Sequence, residues 1–499
     1  FPSRGAIITL TNMTLDVQVC SRARLSRDPR FDGKFFIGVV GSGVYCRSIC
    51  PAPTAKEKNC TYFPTAAAAA EAGFRPCLRC RPECSPGTPA WLGTSNTVSR
   101  ALRLIGESGL EDGVESLADR VGVGSRHLRR LFIHHLGATP SAVAQTRRLH
   151  FAKKLIDETR LPLGEVALAS GFGCVRRFNA AIRKTFKRTP TQIRRLARLT
   201  EVQPENEYLF HLRFRPPYHW SGMLAFLAAR ATPGVELVDQ NMYRRSISIN
   251  GNQGHFEVSL NEDADRHSLD VRVQIADPRS LFAIIERIRA MFDLNADWSA
   301  IAQSLRADPQ LAAPLRAQPG LRVPGCWNGF ELAVRAILGQ QITVKGATSL
   351  AGRLTKSFGQ PLTQANGLTH LFPTPEVLAE AKLTGVGLTE KRAQTIRALA
   401  RAVSDGHISF DRITDKESFL NRLCEIPGIG SWTAQYVAMR ALGEPDAYPT
   451  GDLGLLRALA IGSPRDLDKR AEPWRPWRAY ACMYLWTFAH GAKSHKNAA

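Results

Sequence analysis

The chain has 499 residues and a mass of 55.0 kDa, which is enough for three or four domains. Its formal net charge is +22, its pI is about 9.9, and 44% of its residues are hydrophobic, enough for a globular core in each domain. No run of 18 apolar residues occurs, which argues against a membrane-spanning helix. So much positive charge points first to nucleic acid as a partner, then to acidic lipid or acidic protein.

The amino-terminal segment and the cysteine content are those expected of a cytoplasmic protein. No charged and then apolar signal peptide opens the chain, and Met13 is a candidate natural start, which would leave residues 1–12 outside the native protein. The eleven cysteines are an odd number, and four of them are tightly grouped. In a cytosolic protein this usage favours metal ligands or reactive thiols over disulfides.

Four cysteines form two short pairs, C-x3-C and C-x2-C, separated by 26 residues. Thiolates at such spacings fit tetrahedral zinc, because each pair lies on one turn and two turns close the site. The alternative is four unrelated cysteines. A site of four thiolates is negatively charged overall, so its sulfurs stay nucleophilic unless hydrogen bonds shield them. The four predicted ligands are Cys46, Cys50, Cys77 and Cys80.

The sequence segments around these cysteines resemble the amino-terminal domain of the Ada family of DNA methyl acceptors. These segments are "FDGKFFIGVVGSGVYCRSICP" and "AAEAGFRPCLRC". The resemblance covers about residues 30–85. It implies that Cys46, in "VYCR", takes a methyl group from a methylphosphotriester of the DNA backbone, and that the other three cysteines complete the zinc site. A guanine-O6 methyl acceptor is disfavoured, because no proline-cysteine-histidine-arginine stretch occurs in the chain.

The next region is basic and helical, with 20 Lys and Arg against 8 Asp and Glu over residues 95–200. "VESLADRVGVGSRHLRRLFIHHLGATP" has the pattern of a helix-turn-helix, in which Ser125 is expected to cap the second helix. The pattern returns in "LPLGEVALASGFGCVRRFNAAIRKTFKRTP". Two such units resemble the AraC-type DNA-binding domain; the alternative is a helical bundle with a solvated basic face. The predicted DNA contacts are Arg126, Arg129, Arg130, Arg176, Arg177, Arg183 and Lys184.

The second half begins with a strand, a Pro-Pro break and an apolar helix, followed by segments that alternate in period two as antiparallel strands do. Helical patterns follow from Phe292. Within them "LCEIPGIGSWTAQYVAMR" predicts a helix-hairpin-helix, whose Gly428 and Gly430 let the backbone approach a phosphate. A plain tight turn is the alternative. Asp452, in "AYPTGDLGLLRAL", precedes an apolar helical run, and its simplest role is a helix N-cap.

The hairpin and the later aspartate match the helix-hairpin-helix base-excision glycosylases. "RPPYHWSGMLAFLAAR", "VPGCWNGFELAVRAILGQQITV" and "WRPWRAYACMYLW" resemble AlkA-type 3-methyladenine DNA glycosylases over about residues 205–490. The resemblance implies that Asp452 is the catalytic carboxylate. It places a wedge for the base stack after "AILGQ", where this chain has Gln341 and then Ile342. The aromatic residues matching the family's base pocket are Trp432, Tyr436, Trp486 and Phe226.

Two further expectations follow from the hairpin. Lyase-type relatives have a lysine where this chain has Trp432, so no Schiff base is expected and the reaction should stop at an abasic site. The carbonyl groups of Cys424, Ile426 and Ile429 are expected, by the same resemblance, to hold a monovalent cation that bridges to a phosphate.

The predicted fold class is multidomain and mostly helical with α+β parts. We expect a small zinc-binding α/β domain over residues 1–90, a double helix-turn-helix over 91–200, a mixed α+β domain over 204–290 and an all-helical glycosylase domain over 291–499. The implied functions are methyl-activated transcription and excision of alkylated bases. The alternative is a regulator whose glycosylase-like half binds DNA without catalysis. The resemblances imply damaged and promoter DNA and RNA polymerase as partners, no membrane, and a bacterial cytoplasmic, nucleoid-associated location.

Overall fold

The computed structural model describes residues 16–87, 96–108, 112–197, 204–362, 366–410 and 416–496. The chain divides into two compact units, Phe1–Glu201 and Val202–Ala499. The candidate start Met13 lies outside the described residues. Among the helices of the described residues, none is long and apolar enough to cross a membrane.

The first unit begins with a small four-stranded sheet in the order β3-β1-β2-β4. Strand β1 pairs antiparallel with β2 and β3, whereas β2 and β4 are parallel. Helix α2 is an alanine run, and the hydroxyl of Thr65 caps it by accepting the Ala68 N–H at 3.0 Å. The elements are α1 (Val17–Leu25), β1 (Phe36–Val39), β2 (Val44–Cys46), β3 (Cys60–Phe63), α2 (Ala66–Glu71) and β4 (Arg75–Pro76).

The described residues of the first unit contain seven further α-helices, which include the two predicted helix-turn-helix pairs, α4 with α5 and α7 with α8. Gly122 and Gly171 make the two turns with φ of 75° each. The prediction that Ser125 caps α5 is wrong by one residue: Gly124 occupies the cap, and Ser125 is the first helical residue. The helices are α3 (Asn96–Ser108), α4 (Gly113–Arg120), α5 (Ser125–Leu136), α6 (Pro140–Glu158), α7 (Leu163–Ala169), α8 (Val175–Phe186) and α9 (Pro190–Leu196).

The second unit opens with an antiparallel five-stranded sheet in the order β5-β9-β8-β7-β6. The period-two segments predicted as strands form β7, β8 and β9, because alternate side chains face a buried and a more exposed side. The elements are β5 (Glu207–Arg213), α10 (Trp220–Ala228), β6 (Glu236–Asp239), β7 (Met242–Ile249), β8 (Asn252–Leu260), β9 (Ser268–Ile275) and α11 (Leu281–Met291).

The rest of the second unit is helical and surrounds an apolar core to which α14, α15, α17 and α19 contribute. This core fixes the hairpin between α18 and α19 against its neighbours. The helices are α12 (Trp298–Leu305), α13 (Pro309–Ala317), α14 (Gly329–Leu338), α15 (Val344–Phe358), α16 (Pro375–Glu380), α17 (Glu390–Ser404), α18 (Lys416–Glu425), α19 (Ser431–Ala441), α20 (Leu453–Leu459), α21 (Pro464–Ala471) and α22 (Arg478–Lys496).

Candidate functional sites

The four predicted zinc ligands form one cluster. Cys46 ends β2 and Cys77 follows β4, so the parallel pairing of these strands brings the two halves of the motif together. The four Sγ atoms all lie within 4.8 Å of one another. Zinc–sulfur bonds of about 2.3 Å in a tetrahedron require sulfur–sulfur distances of about 3.8 Å, so the cluster fits a Zn²⁺ ion.

The cluster is largely shielded from solvent, and its sulfurs are close enough to share protons. Cys46 is 9% exposed, Cys77 and Cys80 are buried, and Cys50 is half-buried. The hydrogen bond from Cys46 lowers the pKa of Cys50 to about 7 and raises that of Cys46, because the crowded sulfurs share protons. The buried Arg47 donates its backbone N–H to the Cys80 sulfur at 3.4 Å.

The side chain of Arg47 fixes the chain next to the predicted methyl acceptor. Its Nε donates to Asp32 at 2.8 Å and its Nη1 donates to the Cys80 carbonyl at 2.9 Å. Both Arg47 and Asp32 are buried. Sequence reasoning did not select this pair, although "VYCR" contains the arginine, because the aspartate lies 15 residues earlier.

The seven predicted DNA contacts of the first unit all lie on exposed faces of α5 and α8. In α5 the buried face is formed by Leu128, Phe132 and Leu136, and the arginines occupy the other side. Helix α8 repeats this arrangement at the same spacing, with Phe178 and Ile182 on its buried face. The exposed residues are Arg126, Arg129, Arg130, Arg176, Arg177, Arg183 and Lys184.

Asp452 is both an N-cap and the centre of an aromatic site. Its Oδ1 accepts the Leu455 N–H at 2.9 Å and the Trp486 Nε1–H at 2.9 Å, and its Oδ2 accepts the Trp432 Nε1–H at 2.9 Å. Trp432 lies in the first turn of α19, Trp486 in α22, and Asp452 caps α20. Three helices therefore hold one half-buried carboxylate.

The predicted pocket aromatics lie together beside this carboxylate. The rings of Trp432 and Tyr436 stack with centroids 5.2 Å apart and an angle of 8°, as expected one turn apart on α19. Tyr436 and Trp486 have centroids 6.5 Å apart and are tilted by 54°. Phe226, from α10, is buried. The guanidinium of Arg440 lies 4.8 Å from the centroid of the Phe226 ring and links Phe226 to this group.

Two arginines, Arg230 and Arg440, contact the predicted pocket aromatics, and sequence reasoning missed both. Arg440 donates Nη1–H to the Tyr436 hydroxyl at 2.8 Å, and its other nitrogens donate to the carbonyl groups of Pro324 and Gly325. Arg230 lies 3.8 Å from the Phe226 ring centroid. Burial raises the pKa of Tyr436, but the two guanidinium groups outweigh it, and the net effect lowers that pKa.

The predicted wedge residues lie in the loop between α14 and α15. Gln341 and Ile342 are both exposed, and Ile342 keeps 38% of its surface accessible. Gln341 has φ of 58°, a left-handed conformation that non-glycine residues rarely adopt. The loop therefore presents both side chains to solvent at a sharp turn.

The hairpin glycines have different structural roles. Gly428 has φ of 95°, and a Cβ there would lie 2.2 Å from the Thr395 hydroxyl, so no other residue fits. Gly430 caps α19, and a Cβ there would meet open space. A phosphate at the start of α19 would contact the backbone at this point. Of the three carbonyl groups predicted to hold a cation, that of Ile426 accepts the Ile429 N–H at 3.0 Å.

Comparison with known families assigns four segments of the chain. The family described as the metal binding domain of Ada matches residues 19–83, and a helix-turn-helix domain family matches residues 117–196. The AlkA N-terminal domain family matches residues 209–328, and the HhH-GPD superfamily of base excision DNA repair proteins matches residues 334–467. Fold and sites therefore define a class of repair protein in which a zinc-binding and DNA-reading unit is joined to a glycosylase fold.

The relatives specify the class further. The chain is 41% identical over 481 residues to the probable bifunctional transcriptional activator/DNA repair enzyme AlkA of Mycobacterium tuberculosis, covering 95% of this chain and 96% of that protein. It is 34% identical to DNA-3-methyladenine glycosylase 2 of Escherichia coli over 56% of this chain and 96% of that protein. The chain belongs to the family of bifunctional AlkA transcriptional activator/DNA repair enzymes.

A solved structure supports the fold of the second half. The 3-methyladenine DNA-glycosylase from Archaeoglobus fulgidus matches with a TM-score of 0.51 and 22% identity, covering 56% of this chain and 98% of that chain. The predicted fold class and the three family resemblances, to Ada, to AraC-type regulators and to AlkA, are confirmed by these matches.

Proposed function

We propose that the chain repairs alkylated DNA by two separate chemistries and regulates transcription through the first of them. The observation that carries this proposal is the presence, in one chain, of a four-sulfur cluster and a carboxylate held between two indoles. The four segments implied by these sites are residues 1–90, 91–200, 204–290 and 291–499.

The second half acts as a monofunctional glycosylase that excises alkylated bases such as 3-methyladenine. A base flipped out of the helix would stack on the aromatic rings that lie beside Asp452, those of Trp432, Tyr436 and Trp486. An electron-deficient alkylated purine stacks well on such electron-rich rings.

Asp452 supplies the charge that the bond cleavage needs. Breaking the N-glycosidic bond leaves positive charge on the sugar, and a carboxylate at this position stabilises that cation or orients water against it. The three donors to Asp452 come from different helices and fix the direction of both oxygens. Trp432 occupies the lysine position of the lyases, so the product is an abasic site.

Base release from methylated DNA tests this half of the proposal. The wild-type protein is incubated with DNA alkylated by a methylating agent, and free bases are separated by chromatography. Free 3-methyladenine is expected in amounts that exceed the protein, since the reaction is a turnover. Stoichiometric DNA binding without release would favour the alternative, a regulator with a non-catalytic glycosylase-like half.

In the first unit we propose that Cys46 takes a methyl group from a DNA methylphosphotriester. Its sulfur attacks the methyl carbon, a sulfur–carbon bond forms, the carbon–oxygen bond breaks, and the phosphate oxygen leaves with the electron pair as a phosphodiester anion. Zn²⁺ held by the four sulfurs would keep them deprotonated and nucleophilic. Arg47 and Asp32 hold the neighbouring backbone and so orient the Cys46 side chain.

Methyl transfer changes the charge that faces DNA. Four thiolates around one divalent cation carry a net charge of −2, and methylation of one sulfur leaves −1. Less repulsion from phosphates should tighten binding of the promoter by the exposed cations of α5 and α8. Operator affinity of methylated and unmodified protein is therefore compared over a salt series. Equal affinities at low salt would contradict the switch.

The finer assignments extend this proposal. RNA polymerase is the expected partner of the promoter-bound protein, and the bacterial cytoplasm, at the nucleoid, is the expected location. The basic faces of α5 and α8 support promoter binding. The carbonyl groups of Cys424, Ile426 and Ile429 would hold a monovalent cation that contacts a phosphate beside the damaged nucleotide.

A further inference from the structure

The loop that carries the predicted wedge residues is joined to the hairpin by a side chain that no motif selected. Gln340 is half-buried and directly precedes Gln341. Its Nε2 donates to the Gly428 carbonyl at 2.9 Å and to the Thr433 hydroxyl at 3.2 Å. These two contacts cross 88 and 93 residues of chain, and one of them ends on the hairpin itself.

Helix α17 holds both the loop and the hairpin that Gln340 connects. Its Arg392 donates to the backbone carbonyl of Gln340. Three residues later, on the same face of the helix, Thr395 donates to the carbonyl of Pro427 in the hairpin at 2.8 Å. The same threonine fills the space that a side chain at Gly428 would need. Loop and hairpin are therefore fixed to one helix and to each other.

These contacts between loop, hairpin and α17 fix the position of the exposed wedge residues. Gln341 is held in a left-handed conformation, and Ile342 is exposed directly after it. On the far side of the loop, the Thr343 hydroxyl caps α15 by accepting the Gly346 N–H at 3.1 Å. The loop is thus anchored at both ends, and its two predicted wedge side chains are exposed to solvent.

We propose that Gln340 is a positioning residue for base extrusion, an inference that rests on the proposed glycosylase function. Because Gln340 ties the loop to the hairpin, a phosphate gripped at the hairpin lies at a fixed distance from the wedge. Engagement of the backbone then drives the wedge into the base stack without a separate loop movement. The side-chain amide of Gln340 donates to Gly428 and Thr433 and not to Asp452 or a pocket aromatic, so bond cleavage itself should not depend on it.

The experiment compares two duplexes of one sequence that carry a single 7-methylguanine. In one duplex the lesion is paired with cytosine, and in the other it lies opposite an abasic analogue, where less stacking and pairing energy opposes extrusion. The variants are Gln340→Met, which lacks the amide donors at similar volume, and Gln340→Glu, which replaces the donor by an acceptor. The matched control is Gln394→Met on α17, which removes only an exposed hydrogen bond to Glu390.

Two hydrogen bonds of ordinary strength correspond to roughly a tenfold to hundredfold change in rate. Single-turnover release from the paired duplex should therefore fall by about that factor in both Gln340 variants. Release from the unpaired duplex should stay within about threefold of wild type, which also shows that the variants are folded. Combining Gln340→Met with Ile342→Ala should slow the paired duplex by less than the product of the two single effects, since both act on extrusion.

Three results would overturn the inference. Equal slowing of both duplexes would place Gln340 in the chemistry or in general stability, and unchanged rates on both would remove any role. Fully multiplicative effects with Ile342→Ala would separate Gln340 from the wedge. A wild-type protein that releases no base from either duplex would instead overturn the proposed function, and this inference with it.

Discussion

Replacing Asp452 by Asn tests the proposed catalytic carboxylate with almost no change in shape. The carboxylate loses its charge but can still direct one carbonyl oxygen at Leu455 and Trp486, which both donate to Oδ1. At about 4 Å from the sugar, with an effective dielectric constant of about 20, one unit charge stabilises a cation by about 4 kcal/mol. The single-turnover rate of base release should therefore fall about a thousandfold.

The same geometry predicts a loss of stability. In the Asn variant the new amide N–H₂ faces the Trp432 Nε1–H, which donates to Oδ2 in the wild type, so two donors meet. Loss of a hydrogen bond to a charged acceptor costs about 1.5–3 kcal/mol. Urea unfolding measures this loss. Binding of DNA that carries a non-cleavable abasic analogue should be close to wild type.

Asp308 offers a matched control. It also caps a helix, α13, and its Oδ2 accepts an indole N–H, that of Trp474, at 2.6 Å. Asp308→Asn should lose at least as much stability, because Arg470 is a further partner, while base release stays near wild type. If Asp452→Asn released bases within about tenfold of the wild-type rate, the charge argument would be wrong and the catalytic group would lie elsewhere.

Three further predictions concern stability and metal. Burial lowers the pKa of His150, which contacts the Tyr45 hydroxyl at 2.8 Å, to about 4. The unfolded chain therefore binds more protons as the pH falls below about 6.5, and stability should drop by about 2 kcal/mol between pH 7 and pH 5. His150→Gln should reduce this loss of stability, which is measured by hydrogen exchange of the α6 amides at each pH. An unchanged pH dependence in the variant would assign the loss of stability to other groups. Glu331→Gln should cost about 3–5 kcal/mol, because the buried Glu331 pairs with Arg245 and Arg335; urea unfolding that shows less than about 1 kcal/mol would contradict this. Removal of zinc with a chelator should abolish methyl uptake but not base release, and joint loss of both would link the two sites.

The parts of the fold that depend on local pattern were predictable. The spacing of the four cysteines predicted that they form one cluster, since each pair lies on one turn. The apolar residues at every fourth position of α5 and α8 predicted that the arginines lie on the exposed face of each helix. Period-two alternation of apolar residues predicted β7 to β9, because successive side chains of a strand face opposite sides of the sheet. At Asp452 the predicted helix cap and the proposed catalytic carboxylate are the same group, since one oxygen caps α20 and also accepts an indole N–H.

The parts that depend on contacts between distant segments were not predictable. Arg440 joins the Tyr436 hydroxyl to carbonyl groups more than 110 residues away, and Gln340 reaches a carbonyl 88 residues away. No periodicity in the sequence encodes such a meeting, because it is set by the packing of whole helices. The prediction of the α5 cap was wrong for a smaller reason. Gly124 and Ser125 are both acceptable N-caps, and the stabilising free energies of a glycine and a serine cap differ by only a few tenths of a kcal/mol.

The fate of one label tests the central claim that a single chain carries two independent repair sites. DNA methylated with a tritiated methyl group is incubated with wild type, Cys46→Ser and Asp452→Asn, and the tritium is divided into protein-bound label and free base. Wild type should show both products, Cys46→Ser only free base, and Asp452→Asn only protein-bound label. Loss of both products in either variant, or undiminished protein labelling in Cys46→Ser, would contradict two separate sites with these two residues at their centres.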